Sequence, residues 1–285
     1  PSRKWKRHTS TKFNRKIQTK AQFRLFCFPY GGGGASIYRE WQREFPDSIE
    51  ICPIQLPGRE NRLEEHPLDN LNVLVAELAQ HLKPLFDLPF AFFGHSFGSL
   101  IGFELTRYLR RHRLPQPIHL FTSAYPDPRK PSKSLDNLLA SLKHLDINLF
   151  DLNQERIAQL DEGILNTLSF VFKDNGIVDY SDDRMNKNII KILLPIFIGD
   201  MKIVKNYSYY HELPLETPIT VFQGKQDLWV APADHKGWIN HSSTSCVFHE
   251  FDSGHLFVRE KNIRAKIIQE IKEKLLSFAY EDVAL

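Results

Sequence analysis

Short apolar runs alternate with stretches of helical periodicity along most of this chain. RLFCFPY (24–30), IEICPIQLPG (49–58), PFAFFG (89–94), PIHLFTSAY (117–125), TPITVFQG (217–224) and SCVFHEF (245–251) read as strands. PFAFFG has no polar face, the pattern of a strand covered on both sides. LNVLVAELAQHLKPLF (71–86), SLIGFELTRYLRRH (99–112) and IRAKIIQEIKEKLLSFA (263–279) carry the spacing of amphipathic helices. Such alternation predicts an α/β fold, with a mostly parallel central sheet and helices on both faces. From about 126 to 212 the rhythm breaks. LDNLLASLKHL, QERIAQLDEGILNTLSFVF and DDRMNKNIIKILLPIFIGDMKIVKNYSYY are helical patterns, with no strand pattern before Ile219. This segment is expected to be a helical insertion over one edge of the sheet.

The run PFAFFG ends inside G-x-S-x-G: Gly94, His95, Ser96, Phe97, Gly98. Five-residue patterns of this kind arise by chance, but here a strand precedes and a helix follows. That context is the nucleophile elbow of the α/β-hydrolase fold. The turn lifts the Ser96 hydroxyl above the sheet, and only glycines fit two residues to either side. It also directs the amide of Phe97 at the site, with the positive end of the following helix behind it.

A serine hydroxyl needs a base, and the base needs an acid to orient it, in the chain order Ser, Asp or Glu, His. The late histidines are His211, His235, His241, His249 and His255. His255 stands just past the last strand, after Gly254, where a ring can reach back to Ser96. For the acid, Asp227 follows the strand TPITVFQG and its turn. Asp127 in YPDP is a competitor, since some hydrolases of this fold place the acid after that strand. Asp234 and Asp200 are further candidates, the latter inside the insertion. FPYGGGG (28–34) lets backbone amides approach a ligand. It fits neither G-x-G-x-x-G nor a P-loop. The expected oxyanion donors are the amides of Phe97 and of Tyr30 or Gly31.

Composition changes this picture little. Among 285 residues, 42% are hydrophobic and 25% charged, ordinary for a globular protein. The 21 phenylalanines suit a large apolar core or an apolar pocket. Charge is uneven: residues 1–20 hold eight Lys or Arg and no acid, while the remaining 29 basic residues face 34 acidic ones. The expectation is a solvated, disordered basic arm at 1–20 and one domain at 21–285. Cys27, Cys52 and Cys246 form no C-x-x-C and are odd in number, as expected of reduced thiols in a cytoplasmic protein. No apolar run reaches the length of a membrane span, and no secretory leader pattern is visible.

Together these stretches resemble the type II thioesterases, the stand-alone editing α/β-hydrolases of nonribosomal peptide and polyketide assembly lines. The resemblance rests on LFCFPYGGGGASIYREW (25–41), CPIQLPGRENR (52–62), PFAFFGHSFGSLIGFEL (89–105), LPIFIGDMKIVKNY (194–207), PITVFQGKQD (218–227) and SGHLFV (253–258), in family order. It implies Ser96 as nucleophile, His255 as base and Asp227 as its partner. Phe97, Tyr30 and Gly31 would supply the oxyanion hole. The implied reaction is hydrolysis of acyl groups from the phosphopantetheine arm of a carrier protein, under a lid formed by the insertion. No cofactor or metal is implied. The carrier protein is the expected partner, a monomer the expected state, and nucleic acid an unlikely ligand. The family usually has Ala at Gly31, Met at Phe97, and Leu-Arg-Ala-Asp where LPIFIGD stands; the larger Phe97 is expected to narrow the acyl pocket. Within enzymes, a medium-chain fatty acyl thioesterase or a general esterase uses the same residues. From another class, the fold could serve as a non-catalytic binding module.

Overall fold

A computed structural model describes residues 20–281, apart from 131–132, 144–146 and 175–186. The elements follow in order β1 (Phe23–Phe28), α1 (Trp41–Glu44), β2 (Ile49–Pro53), α2 (Leu71–Leu82), β3 (Phe90–His95), α3 (Phe97–Arg111) and β4 (His119–Ser123). Then come α4 (Lys133–Ser141), α5 (Gln154–Ala158), α6 (Glu162–Asp174), α7 (Lys187–Asn206), β5 (Ile219–Gly224), α8 (Pro232–His235), β6 (Cys246–Phe251) and α9 (Lys261–Glu281). The basic arm expected at 1–20 lies outside the described residues but for Lys20.

The six strands form one sheet in the order β2-β1-β3-β4-β5-β6, and each pairing is parallel. Side chains alternate across it. Phe26, Phe28, Phe90, Phe92 and Val221 join Leu78 of α2 and Leu100 of α3 on one face. Leu25, Cys27, Ala91, Phe93 and Phe222 join Trp41 of α1 and Ile267 and Ile271 of α9 on the other. Covering both faces explains why these strands read as continuous apolar runs. It also explains the phenylalanines: rings from neighbouring strands pack edge to face, as at Phe26–Phe90 with centroids 5.8 Å apart. Each such burial stabilises by about 1.5–3 kcal/mol.

Several elements are shorter than their patterns, β2 and α2 among them. IEICPIQLPG pairs only through Pro53, and LNVLVAELAQHLKPLF leaves the α-helix at Leu82. Pro84, lacking an N–H, converts the last turn to a 3-10 turn at 83–85. The other end of α2 is fixed by Asn70, whose side chain accepts the Val73 N–H at 3.1 Å.

Described residues between β4 and β5 contain helices and no strand, and they have an apolar core of their own: Leu138, Ile157, Leu168, Phe172, Leu194 and Phe197. α7 of this insertion lies against the loop that follows β1. β4 and β5 are adjacent interior strands, so the insertion leaves and re-enters at the middle of the sheet. Strand order reverses between β1 and β3, which opens a crevice at their carboxyl ends. The glycine-rich loop follows β1 there, and Ser96 follows β3.

Candidate active site

Ser96 occupies φ 52°, ψ −121°, a region few side chains enter. Its surroundings hold it there. The Ser96 N–H donates to the Ser123 carbonyl at 2.7 Å. The Ser99 hydroxyl, one helical turn on, lies 2.7 Å from the Gly94 carbonyl and 2.9 Å from that of Ser123, and accepts the Ser123 N–H at 2.9 Å. A Cβ on Gly94 would sit 2.1 Å from the Gly98 carbonyl oxygen, and one on Gly98 would sit 2.2 Å from that of Phe28. Both glycines are therefore required by backbone they cannot displace.

The structure brings Ser96, His255 and Asp227 into one hydrogen-bonded chain. His255 Nε2 lies 2.9 Å from Ser96 Oγ, and His255 Nδ1 lies 2.8 Å from Asp227 Oδ2. A carboxylate only accepts, so Nδ1 carries the proton and Nε2 is free to accept from the serine. Asp227 Oδ1 accepts the N–H groups of Trp229 and Val230 at 2.7 and 3.1 Å. Burial alone would raise the Asp227 carboxyl. The His255 charge and hydrogen bond, with those two amides, outweigh it and hold the carboxyl below its ordinary range. The Trp229 ring lies over His255 with centroids 5.7 Å apart.

In the sequence His95, between Gly94 and Ser96, stands only as part of the turn. Its Nε2 lies 2.8 Å from the His255 carbonyl and its Nδ1 2.8 Å from Ser123 Oγ. Burial, with the neighbouring His255 adding to it, pushes His95 down to about 3 against the pull of that carbonyl and of Asp227. The ring is thus neutral: Nε2–H donates to His255, and Nδ1 accepts the Ser123 hydroxyl. It ties the loop bearing His255 to the elbow. The signal in the sequence was a polar ring at the end of an otherwise apolar strand. Ser99 and Ser123 carried no signal beyond their place in elements.

The other candidates lie elsewhere. Asp127 is buried against His241 Nε2 at 2.8 Å and Arg129 Nη2 at 2.7 Å. His235 is buried, His249 lies 3.4 Å from Glu270, and His211 is exposed. Asp234 pairs with Lys130 at 2.7 Å. Asp200 is buried on α7 and pairs with Arg59 at 2.8 Å.

Phe97 opens α3, its side chain buried in the core. The Gly33 N–H donates to the Tyr30 carbonyl at 2.9 Å. Because the Tyr30–Gly31 peptide is trans, its N–H points away from that turn. A Cβ on Gly31 would come within 2.9 Å of the Met201 methyl and 3.9 Å of Phe97 Cβ. Gly31 and Phe97 are therefore near neighbours. The Met201 methyl, the end of a flexible side chain, occupies the space an alanine at 31 would need.

Cys27 is buried, Cys52 and Cys246 are half-buried, and none of the three is in a disulfide. No group of three or more His, Cys, Asp or Glu among the described residues is arranged to hold a metal. No described helix is long and apolar enough to cross a membrane.

Comparison with known proteins points one way. A family model described as "Thioesterase domain" matches residues 23–275. The chain is 36% identical over 247 residues to the gramicidin S biosynthesis protein GrsT of Aneurinibacillus migulanus, covering 87% of each. It is 29% identical over 266 residues to the medium-chain S-acyl fatty acid synthase thioesterase of Homo sapiens, covering 90% of this chain and 91% of that one. Among solved structures, the RedJ thioesterase from the prodiginine biosynthetic pathway in Streptomyces coelicolor is similar with a TM-score of 0.75 and 27% identity. That match covers 90% of this chain and 88% of the other. With the parallel sheet and its two helical layers, these likenesses give the α/β-hydrolase fold.

Proposed function

The chain belongs to the thioesterase domain family, and from that premise we propose that it hydrolyses acyl thioesters on the phosphopantetheine arm of carrier proteins, clearing unwanted acyl groups from nonribosomal peptide or polyketide assembly. The observation that carries this reading is the chain Ser96–His255–Asp227, with links of 2.9 and 2.8 Å, ending on a strained elbow.

In this reading His255 Nε2 takes the Ser96 proton as Oγ attacks the thioester carbonyl. The oxyanion is held by the amides of Phe97 and of Tyr30 or Gly31. As the tetrahedral intermediate collapses, the carbon–sulfur bond breaks and His255 gives its proton to the departing thiolate. An acyl-Ser96 ester and the free pantetheine thiol remain. Water then attacks the ester, losing a proton to His255, which passes it to Ser96 Oγ as the acid departs. Asp227 stays ionised throughout and stabilises the imidazolium. The helices between β4 and β5 serve as a lid over the acyl chain.

A second reading, release of medium-chain fatty acids, is supported by the likeness to the human medium-chain enzyme. One experiment separates these. Acetyl through dodecanoyl groups are presented on a phosphopantetheinyl carrier protein and on coenzyme A, with Ser96→Ala as control. Ser96-dependent turnover, faster on carrier protein and on short or misloaded groups, is the expected result. A sharp preference for eight to twelve carbons would favour fatty acid release. Equal background in both proteins would leave a non-catalytic binding module.

A further inference from the structure

The glycine-rich loop after β1 is held by side chains from two other parts of the chain. Gln55 Oε1 accepts the Ala35 N–H at 2.6 Å, and Glu60 Oε1 accepts the Ser36 N–H at 3.1 Å. Arg59 Nη1 donates to the Gly33 carbonyl at 2.9 Å. Those three residues lie in the loop after β2. The fourth hold comes from α7: Asp200 Oδ2 accepts the Gly32 N–H at 2.8 Å. Arg59 and Asp200 are also joined to each other, Nη2 to Oδ1 at 2.8 Å and Nη1 to Oδ2 at 3.0 Å, with both side chains about 3% exposed or less. Bidentate pairing fixes orientation as well as distance.

From this geometry we infer that Arg59 and Asp200 are positioning residues for the oxyanion hole, and that they make its geometry depend on the seat of α7. The inference rests on the reading of the Tyr30–Gly31 peptide as an oxyanion donor. The argument runs through adjacent peptide planes. Gly32, at φ +77°, has its N–H fixed by Asp200, and Gly33 has its carbonyl fixed by Arg59. Gly33 in turn holds the Tyr30 carbonyl through its N–H. The donor peptide's own carbonyl and the peptides that follow it are thereby held, in a loop whose glycines supply no stiffness of their own. Beside these contacts α7 and the loop part around a cavity of about 590 Å³, lined by Gly32, Gly33, Arg59, Ile192 and Ile196 among others. Phe197 and Met201 of α7 pack against Gly32 and Gly31 at one side of this opening, but such apolar contacts set no peptide orientation, and the ion pair with its two backbone hydrogen bonds supplies the directional link between α7 and the loop. A buried pair of this kind adds little net stability compared with an apolar one, so a geometric duty explains its presence better than a stabilising one.

The test compares wild type with Asp200→Asn, and with Arg59→Lys as a second variant that retains the charge but loses the fork. Hydrolysis of p-nitrophenyl butyrate is measured well below each melting midpoint, along with affinity for an alkyl boronic acid. The boronate adds to Ser96 and places an oxygen where the oxyanion would form, with no carrier protein and no turnover needed. The expected result is a fall in kcat of about 10- to 100-fold, since a displaced donor costs less than a deleted one. KM should stay within about threefold and boronate affinity should fall in parallel with kcat, because the lost contacts act on the transition state. Unchanged kcat and boronate affinity in folded variants would overturn the inference, as would a rise in KM alone. Failure of the thioesterase reading looks different: wild type would cleave the ester but no carrier-bound thioester, and the comparison of variants would still stand.

Discussion

Two aspartates follow adjacent central strands, and each meets a histidine ring at 2.8 Å. Asp127 comes after β4 and pairs with His241; Asp227 comes after β5 and pairs with His255. Both carboxyls lie below their ordinary range, in each case because hydrogen bonds and nearby positive charge outweigh burial. What separates them is the far side. His255 continues to the Ser96 hydroxyl, whereas His241 is enclosed by Phe103, Tyr209 and Trp238 with ring centroids 5.0–5.5 Å away. Asp227 spends its second oxygen on two backbone amides; Asp127 spends its own on Arg129. An aspartate beside a histidine is thus not in itself catalytic equipment. The same pair serves as a buried tie when no reactive group completes it.

Asp227→Asn should break the comparison most visibly. The amide can present its NH2 to Nδ1 and favour the wrong tautomer, leaving Nε2 protonated and unable to accept from Ser96. A loss of about 10³- to 10⁴-fold in kcat is expected, with the fold intact by circular dichroism. A loss under tenfold would mean that His255 is oriented without this carboxylate.

Acid stability comes next in size, and it depends on histidines outside both pairs. Burial first of all pushes His95 and His119 down to about 3 and His235 to about 4. In the unfolded chain each titrates near 6.5. Below that pH the unfolded state binds protons that the folded state refuses, so stability is lost as pH falls from about 6.5 toward 4. With three such groups the slope approaches about 4 kcal/mol per pH unit. Urea midpoints measured between pH 7.5 and 5 would check this, and a flat profile would mean that these rings are charged in the fold. Asp127 and Asp227 act in a lower window. Their depressed values contribute stability that is complete above about pH 4 and lost as pH falls further.

The fold was largely legible because alternation and apolar runs are local properties. RLFCFPY and PFAFFG declare strands covered on both faces, and Gly94, Ser96 and Gly98 declare a turn whose sterics involve only near neighbours. The choice between Asp227 and Asp127 was not local. Both follow a strand, and only the folded chain reveals that Asp127 meets a histidine 114 residues away. Asp200 is likewise a candidate acid by sequence because its partner Arg59 lies 141 residues back, with no pattern linking them. His95 was hidden differently: it sits inside the motif, but its ring reaches the carbonyl of His255, 160 positions on. The insertion is legible as helices, but periodicity says nothing about which strands flank a segment in space, so its departure from the interior of the sheet is not.

Asp127→Asn should give the opposite result to Asp227→Asn. Nothing links Asp127 to Ser96, so kcat should change less than about threefold. Removing the charge weakens the buried hydrogen bond to His241, while the exposed Arg129 turns to water, at a cost of about 1–3 kcal/mol, or several degrees in Tm. The additional loss of stability below pH 4 should also shrink. A large fall in kcat with little change in Tm would reverse the roles assigned to the two aspartates.

The smallest effect should come from Arg129→Lys, which asks which side of the Asp127 pair does the tying. Arg129 meets the carboxylate with Nε and Nη2, but its side chain is 41% exposed, while those of Asp127 and His241 are 4% and 3% exposed. Lysine keeps the charge and loses the fork. Since water already screens the arginine, the expected loss is under about 1 kcal/mol with kcat unchanged. A loss matching that of Asp127→Asn would place the tie in the guanidinium rather than in His241. The buried histidine would then be a packing ring, and its likeness to His255 would end at the 2.8 Å distance the two share.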